Sequence, residues 1–299
     1  MAGKPHESNY LMAAVGGLFL LAVLIIAAYS FFPSEGCIGV VEISGVLITT
    51  DISPSLFTDE QKGSQTIADE LAEAGRRKDV QAVLLLIDSP GGSVIASQEV
   101  HAAVRAMNKT SVSFIREMAA SGGYYAAAGT DYIVANPDAL TGSIGARATL
   151  EDYSGLMGKL GINSTTFMTG GLKDMGASDR PMSEKEREVW QGIVDESFLT
   201  FRTAVEEGRR GKLDPVMFEE VLDARIITGR QAKKIGLVDE LGNKDAAIAA
   251  AARLSGMKEK PRLCEISSGK KRGTLFGSLS AQALQLFLQG ASGFHVSYK

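Results

Sequence analysis

Val80 to Asp88 reads VQAVLLLID, an almost unbroken apolar run that stops at Ser89-Pro90-Gly91-Gly92. A strand with so little polarity cannot lie on a sheet with one wet face; it needs cover on both sides, as in parallel sheets flanked by helices. Ser-Pro-Gly-Gly is a turn signal and predicts that the strand ends there. The surrounding chain fits the same architecture. Cys37 to Ile48 is rich in β-branched residues, and Thr66 to Arg77 has helical spacing. After the turn, Val94 to Met107 reads as helix, Ser111 to Arg116 as strand, Gly122 to Ala128 as helix and Tyr132 to Ala135 as strand. Strands alternating with helices predict βαβ units and a mainly parallel sheet, an α/β fold. Further on, Ser183-Glu184-Lys185-Glu186 is a capping box that opens a long helix towards Arg210. Asp214-Pro215 and Thr228 to Gln231 open two more.

The 299 residues carry 31 Lys+Arg and 35 Asp+Glu, for a net charge of -4, with 45% hydrophobic residues. That composition excludes a disordered or collagen-like chain, and the acidic balance offers no basic stripe for nucleic acid. The 2 cysteines, Cys37 and Cys264, have no His or Cys at metal-ligand spacing, so no metal site is expected. They could pair in an oxidising compartment or sit as small core residues; the second is the reading adopted.

Leu11 to Phe32 contains no charged residue. As a helix it would reach roughly 33 Å, enough to cross a bilayer, and this length favours a retained anchor over a cleaved signal peptide. Lys4 precedes it and the first basic residue after it is Lys62, so residues 1–10 are expected in the cytoplasm and the rest outside. Thr274 to Gln289 has amphipathic helical spacing and is expected to dock on the domain or on a neighbouring subunit.

Candidate chemistry begins from a shortage of histidine. His6 precedes the anchor, His101 falls in mid-helix and His295 in the tail, so each reads as a surface or packing residue rather than a catalytic base. Ser121 is the best nucleophile candidate. It stands where a strand gives way to the helix Gly122-Gly123-Tyr124-Tyr125, and free N–H groups at such a corner favour developing negative charge. A plain helix N-cap is the bland alternative. The amides of Gly92 and Gly122 could form a two-donor oxyanion hole. Lysine can replace histidine as base only when neutral, and Lys173, set among glycines and apolar residues in Gly170-Gly171-Leu172-Lys173-Asp174-Met175-Gly176, is the candidate.

These stretches, in order, resemble the signal peptide peptidase A family of membrane-anchored serine proteases in its half-length form. The resemblance is carried by Ile87-Asp88-Ser89-Pro90-Gly91-Gly92, Met118 to Tyr125, Leu140-Thr141-Gly142-Ser143-Ile144-Gly145, Lys173-Asp174-Met175, Gly229-Arg230-Gln231-Ala232 and Gly236 to Gly242. It implies a Clp/crotonase-like fold over residues 37–257, followed by a C-terminal strand and helical tail at 258–299. It also implies a Ser-Lys dyad of Ser121 and Lys173, with Ser143 orienting the lysine amine and Gly92 and Gly122 supplying oxyanion amides. The family often has Asn where Asp88 stands, so no role is expected of that side chain. No cofactor is implied. The expected substrates are remnant signal peptides and other hydrophobic peptides. Lipid contact through the N-terminal helix, a single-pass location in the cytoplasmic (inner) membrane and a periplasmic catalytic domain follow from the same likeness. Half-length members also imply a homo-octameric ring whose dyads lie between subunits. A crotonase-type acyl-thioester hydratase or isomerase is the alternative enzyme, and a catalytically silent membrane scaffold the non-enzymatic one.

Overall fold

The computed structural model describes residues 36–55, 60–258 and 260–267. The chain divides into two compact units, Met1–Ile266 and Ser267–Lys299, and the elements below all belong to the first. The expected anchor at 11–32 and the tail helix at 274–289 lie outside the described residues. Among those described, no helix is long and apolar enough to cross a membrane.

Among the described residues, eight strands form one sheet: β1 (Cys37–Leu47), β2 (Val80–Gly92), β3 (Thr110–Ala120), β4 (Tyr132–Ala135), β5 (Leu140–Gly142), β6 (Ile226–Thr228), β7 (Glu240–Leu241) and β8 (Arg262–Glu265). The path runs β6-β5-β3-β2-β1-β8, with β4 also on β3 and β7 on β4. Every pairing is parallel except β5 with β6. This is the mainly parallel α/β arrangement that the apolar run of β2 requires. Val83, Leu85 and Ile87 pack into a large cluster on one face, while Ala82 and Leu84 pack into a second cluster on the other.

Helices α1 (Ser64–Arg76), α2 (Val94–Ala106) and α3 (Gly122–Ala128) contribute Ile67, Leu71, Val100 and Tyr124 to the larger cluster. α4 (Ser154–Lys159), α5 (Glu184–Gly208), α6 (Pro215–Glu220) and α7 (Gly229–Ile235) follow, and α8 (Lys244–Ser255) closes the second face. Its Ala247, Ala250 and Ala251 lie against β-strand residues Ile38, Val112 and Val134, and alanine lets the helix approach the sheet closely. The capping boxes predicted at Ser183 and Thr228 both form, as does the Asp214 cap followed by Pro215.

Two expectations are corrected. The Ser-Pro-Gly-Gly segment is no turn: β2 continues through it to Gly92. Opposite Gly45, where φ is +68°, β2 carries one extra residue at Ser89-Pro90, and the register shifts so that Val46 and Leu47 pair with Gly91 and Gly92. The Ser89 hydroxyl donates to the Gly45 carbonyl at 2.6 Å and accepts from the Gly91 N–H at 3.1 Å. The side chain thus holds together a stretch of strand that Pro90 leaves without one of its donors. The cysteines, read as separate core residues, form a disulfide between Cys37 and Cys264. β8 lies parallel to β1 with Gly39 opposite Cys264, which brings together two thiols 227 residues apart in sequence.

Candidate active site

β3 is longer than the pattern Ser111 to Arg116 suggested, and its two halves have different neighbours. Val112 to Ile115 pair with β4, whereas Met118 to Ala120 pair with β5. The chain leaves β3 at Ser121, between those diverging neighbours and the end of β2.

Ser121 has φ 50° and ψ −123°, a conformation that a residue with a Cβ rarely adopts. The strain, of the order of 1–3 kcal/mol, is sustained by the surroundings. The Ser121 N–H donates to the Gly142 carbonyl at 2.9 Å, and its carbonyl accepts from the Tyr125 N–H at 2.9 Å. Every residue of α3 is buried, and the Tyr124 hydroxyl donates to the Leu237 carbonyl at 2.7 Å. Although Ser121 precedes α3, its side chain makes no capping hydrogen bond. The bland N-cap reading therefore fails; Ser121 instead lines a cavity.

That cavity, of about 610 Å³, is lined by Ser121, Gly91, Gly92, Gly122 and Ser143 together with Val46, Val94, Tyr125 and Phe201. Four of the five residues expected at the site are thus brought together. The two oxyanion candidates bracket the space beside the serine. A Cβ on Gly122 would lie 3.3 Å from the Gly92 nitrogen, and one on Gly91 only 2.7 Å from the Gly122 nitrogen and 2.8 Å from the Ser121 Cβ. Any side chain at Gly91 would fill the space beside Ser121 and the Gly122 nitrogen. Gly122 is the first residue of α3, so its N–H has no intrahelical acceptor and is available to an anion. Ser143 also has a positive φ, 51°, and its N–H is held by the Arg225 carbonyl at 2.9 Å.

Lys173 is not part of this cavity within one protomer. It is exposed, in the turn Gly171 to Gly176, with its N–H directed to the Gly170 carbonyl at 3.3 Å. The turn is nevertheless well anchored. Arg180 donates from Nε and Nη2 to the two carboxylate oxygens of Asp174, at 3.1 and 2.8 Å, and from Nη1 and Nη2 to Glu186, at 3.0 and 2.5 Å. Glu186, only 1% exposed, completes the capping box of α5 by accepting from the Ser183 N–H. Arg180 and that N–H hold the Glu186 carboxyl down at about 2. Sequence reasoning missed this clamp, although the capping box at Ser183 to Glu186 marks one end of it.

None of the cavity residues is a histidine, lysine or carboxylate. His101 packs its ring edge-on against Tyr125, 5.0 Å between centroids, and burial with the nearby charge of Arg105 lowers it to about 4. It is a neutral packing residue at pH 7, as expected from its mid-helix position. His6 and His295 lie outside the described residues. Asp88 stands outside the cavity with its carboxylate 3.9 Å from Arg116. The cavity thus holds the Ser121 side chain and the Gly92 and Gly122 backbone but no histidine, lysine or carboxylate.

The sequence was compared with known proteins. Peptidase family S49 matches residues 103–258. A Methanocaldococcus jannaschii protein, MJ0651, provisionally named a protease, is 36% identical over 74% of this chain and 71% of its own length. A protein of Enterococcus faecium, provisionally named signal peptide peptidase SppA, is 36% identical over 69% of this chain and 60% of its own. Protease 4 of Salmonella typhi is 33% identical over 75% of this chain, which spans only 35% of that relative.

Proposed function

Because the chain belongs to peptidase family S49, the signal peptide peptidase A family of serine proteases, we propose that it is a membrane-anchored endopeptidase in which Ser121 attacks the peptide and Lys173 of a neighbouring copy is the general base. The observation that carries this reading is the strained Ser121, set between the Gly92 and Gly122 amides in a cavity without a base of its own.

The Ser121 hydroxyl attacks the peptide carbonyl while the neutral Lys173 amine takes its proton. The tetrahedral oxyanion accepts hydrogen bonds from the Gly92 and Gly122 N–H groups, and the C–N bond breaks as the ammonium returns the proton to the leaving amine. Water, deprotonated by the same amine, then hydrolyses the acyl-enzyme. Ser143 orients the lysine amine.

The segment that carries Lys173 supports the assignment across subunits. From Ala148 to Lys185 no residue is buried. Leu156, Leu160 and Ile162 are half exposed or more, and Phe167 is 96% exposed. An apolar patch of this extent marks an interface, and a ring of identical chains would cover it. An octameric ring, with the catalytic domain at 37–257 and the tail at 258–299, suits this arrangement. The Cys37–Cys264 disulfide suits an oxidising compartment, and with it a single-pass anchor at 11–32 that places the domain outside the cytoplasm, the periplasm in a two-membrane cell. Apolar walls at Val46, Val94 and Phe201 suit signal-peptide remnants and other hydrophobic peptides. A crotonase-type enzyme would use the same two amides but would gain nothing from a strained serine beside them. A silent scaffold would not need the strain at all.

Cleavage of an apolar peptide, followed across pH together with labelling by a fluorophosphonate, tests the proposal. Wild type should form an adduct on Ser121 and gain activity towards alkaline pH, while Lys173→Ala should lose activity at every pH. Absence of the adduct, or full activity in Lys173→Ala, would overturn it.

The Arg180 clamp gives a separate expectation. Arg180→Met should release the turn bearing Lys173 and lower kcat by about 10- to 100-fold with little change in KM, since misplacing a catalytic group by about 1 Å costs that much. Arg180→Lys should recover only part of the loss, because an ammonium cannot span both carboxylates. Steady-state kinetics beside a melting curve checks this, and an equal loss in kcat and Tm-matched controls would make the clamp merely structural.

A further inference from the structure

The cavity beside Ser121 contains one ionised side chain, Arg147; the other residues lining it are uncharged, and Val46, Val94, Tyr125 and Phe201 among them present apolar or aromatic surface. Among the described residues, Arg147 has no ion-pair or hydrogen-bond partner. Nearby arginines are different. Arg225 adjoins the wall residue Ala224 and is occupied by both oxygens of Asp223, while Arg116 lies 3.9 Å from Asp88.

The backbone that carries Arg147 is firmly placed. It leaves the Ser143 corner, where the N–H is tied to the Arg225 carbonyl, and passes so close to the 223–225 segment that a Cβ on Gly145 would lie 2.6 Å from the Ala224 Cβ. Arg147 is exposed where it lines the cavity that also holds Ser121. Its planar fork matches a carboxylate bidentately, and the open cleft gives a charged peptide group access to it.

We propose that Arg147 is a specificity-determining residue that binds a carboxylate of the peptide substrate in the cleft beside Ser121. The assignment rests on the protease reading above. The carboxylate belongs either to an Asp or Glu side chain or to the C-terminus of the peptide, and the apolar walls take the side chains around it. The preferred substrate is then an apolar peptide with one negative charge at a fixed distance from the scissile bond.

The test uses the full-length protein and one apolar peptide carrying Glu, Gln or Lys at successive positions, each with a free or an amidated C-terminus. For wild type, one position should favour Glu over Gln about tenfold in kcat/KM, the effect of one charge-assisted pair. If amidation lowers kcat/KM tenfold and Gln does not, the bound group is the C-terminal carboxylate, which also upholds the assignment. Arg147→Met should cleave the charged and neutral peptides equally, and Arg147→Glu should reverse the preference towards Lys at the same position. Equal cleavage of all peptides by wild type, or unchanged discrimination in Arg147→Glu, would overturn it. A fluorophosphonate adduct on Ser121, read in each sample, separates the two failures. Adduct and cleavage without charge preference would refute Arg147 alone, whereas no adduct and no cleavage in wild type would refute the protease reading and this assignment with it.

Discussion

Ser121→Ala is expected to lower kcat at least about 10⁴-fold while leaving the melting temperature unchanged. The size follows from the role: removal of a serine nucleophile leaves only the oxyanion donors and substrate binding to act on the reaction. The unchanged stability follows from the geometry, because the side chain makes no capping bond and alanine keeps the Cβ strained at φ 50°. Ser121→Gly separates the two further. It too should be inactive, but should stabilise the fold by about 1 kcal/mol, since glycine accepts a positive φ without a Cβ penalty. Peptide hydrolysis and thermal denaturation of the three proteins check both parts. A Ser121→Ala protein with substantial activity would show that the strained corner is not the nucleophile's seat.

The second large effect lies away from the cavity. Arg209 is fully buried at the end of α5, donates to the Gly236 carbonyl from Nε and Nη2 at 3.0 and 2.8 Å, and pairs with Asp239 at 2.6 Å. Asp239 also accepts from the Ile133 N–H at 2.8 Å and pairs with Lys212 at 2.9 Å, so the cluster joins α5, β4 and the segment before β7. Burial pushes the Asp239 carboxyl up, but Arg209, Lys212 and the Ile133 N–H more than offset this and hold it below the ordinary aspartate range.

Arg209→Met should cost about 3 kcal/mol at pH 7. That is the lower end of the range for breaking a buried pair, because Lys212 remains beside the carboxylate. The pH dependence has a definite sign. A depressed carboxyl contributes stability that is present above its unfolded value, near about 4, and lost as pH falls through the folded value. In Arg209→Met burial acts with less opposition, so the difference between variant and wild type should narrow below about pH 4. Urea denaturation at pH 7 and at acid pH measures it, and a gap that widened on acidification would contradict this account of the cluster.

Much of this architecture was legible in the sequence because it rests on local chemistry. The VQAVLLLID run required a strand covered on both faces, and β2 is one. Ser183, Asp214 and Thr228 announced their helices by side chains that cap them. α8 passed unread, although Asn243 caps it and Gly256, at φ 70°, ends it in the usual way. The departures arose where distant segments decide. Ser-Pro-Gly-Gly looks like a turn unless β1 is known to run alongside it with Gly45 opposite Ser89-Pro90, and the cysteine pair depends on β8 docking at Cys37. Three-residue β6, the antiparallel strand, is too short to carry a period of its own.

The site divides along the same line. The corner at Ser121 and the glycine amides were readable because each follows from its own few residues. Lys173, expected as the partner from its local context and the family likeness, lies exposed and outside the Ser121 cavity of a single chain.

Rings co-assembled from equal amounts of Ser121→Ala and Lys173→Ala chains test the shared site most directly. A site is complete only where a chain retaining Ser121 meets a neighbour retaining Lys173, and random mixing around a closed ring gives that arrangement at about one site in four. Peptide hydrolysis should therefore recover to about a quarter of the wild-type rate, although neither variant alone is active. Activity no higher than that of the two variants assembled separately would contradict a dyad divided between subunits.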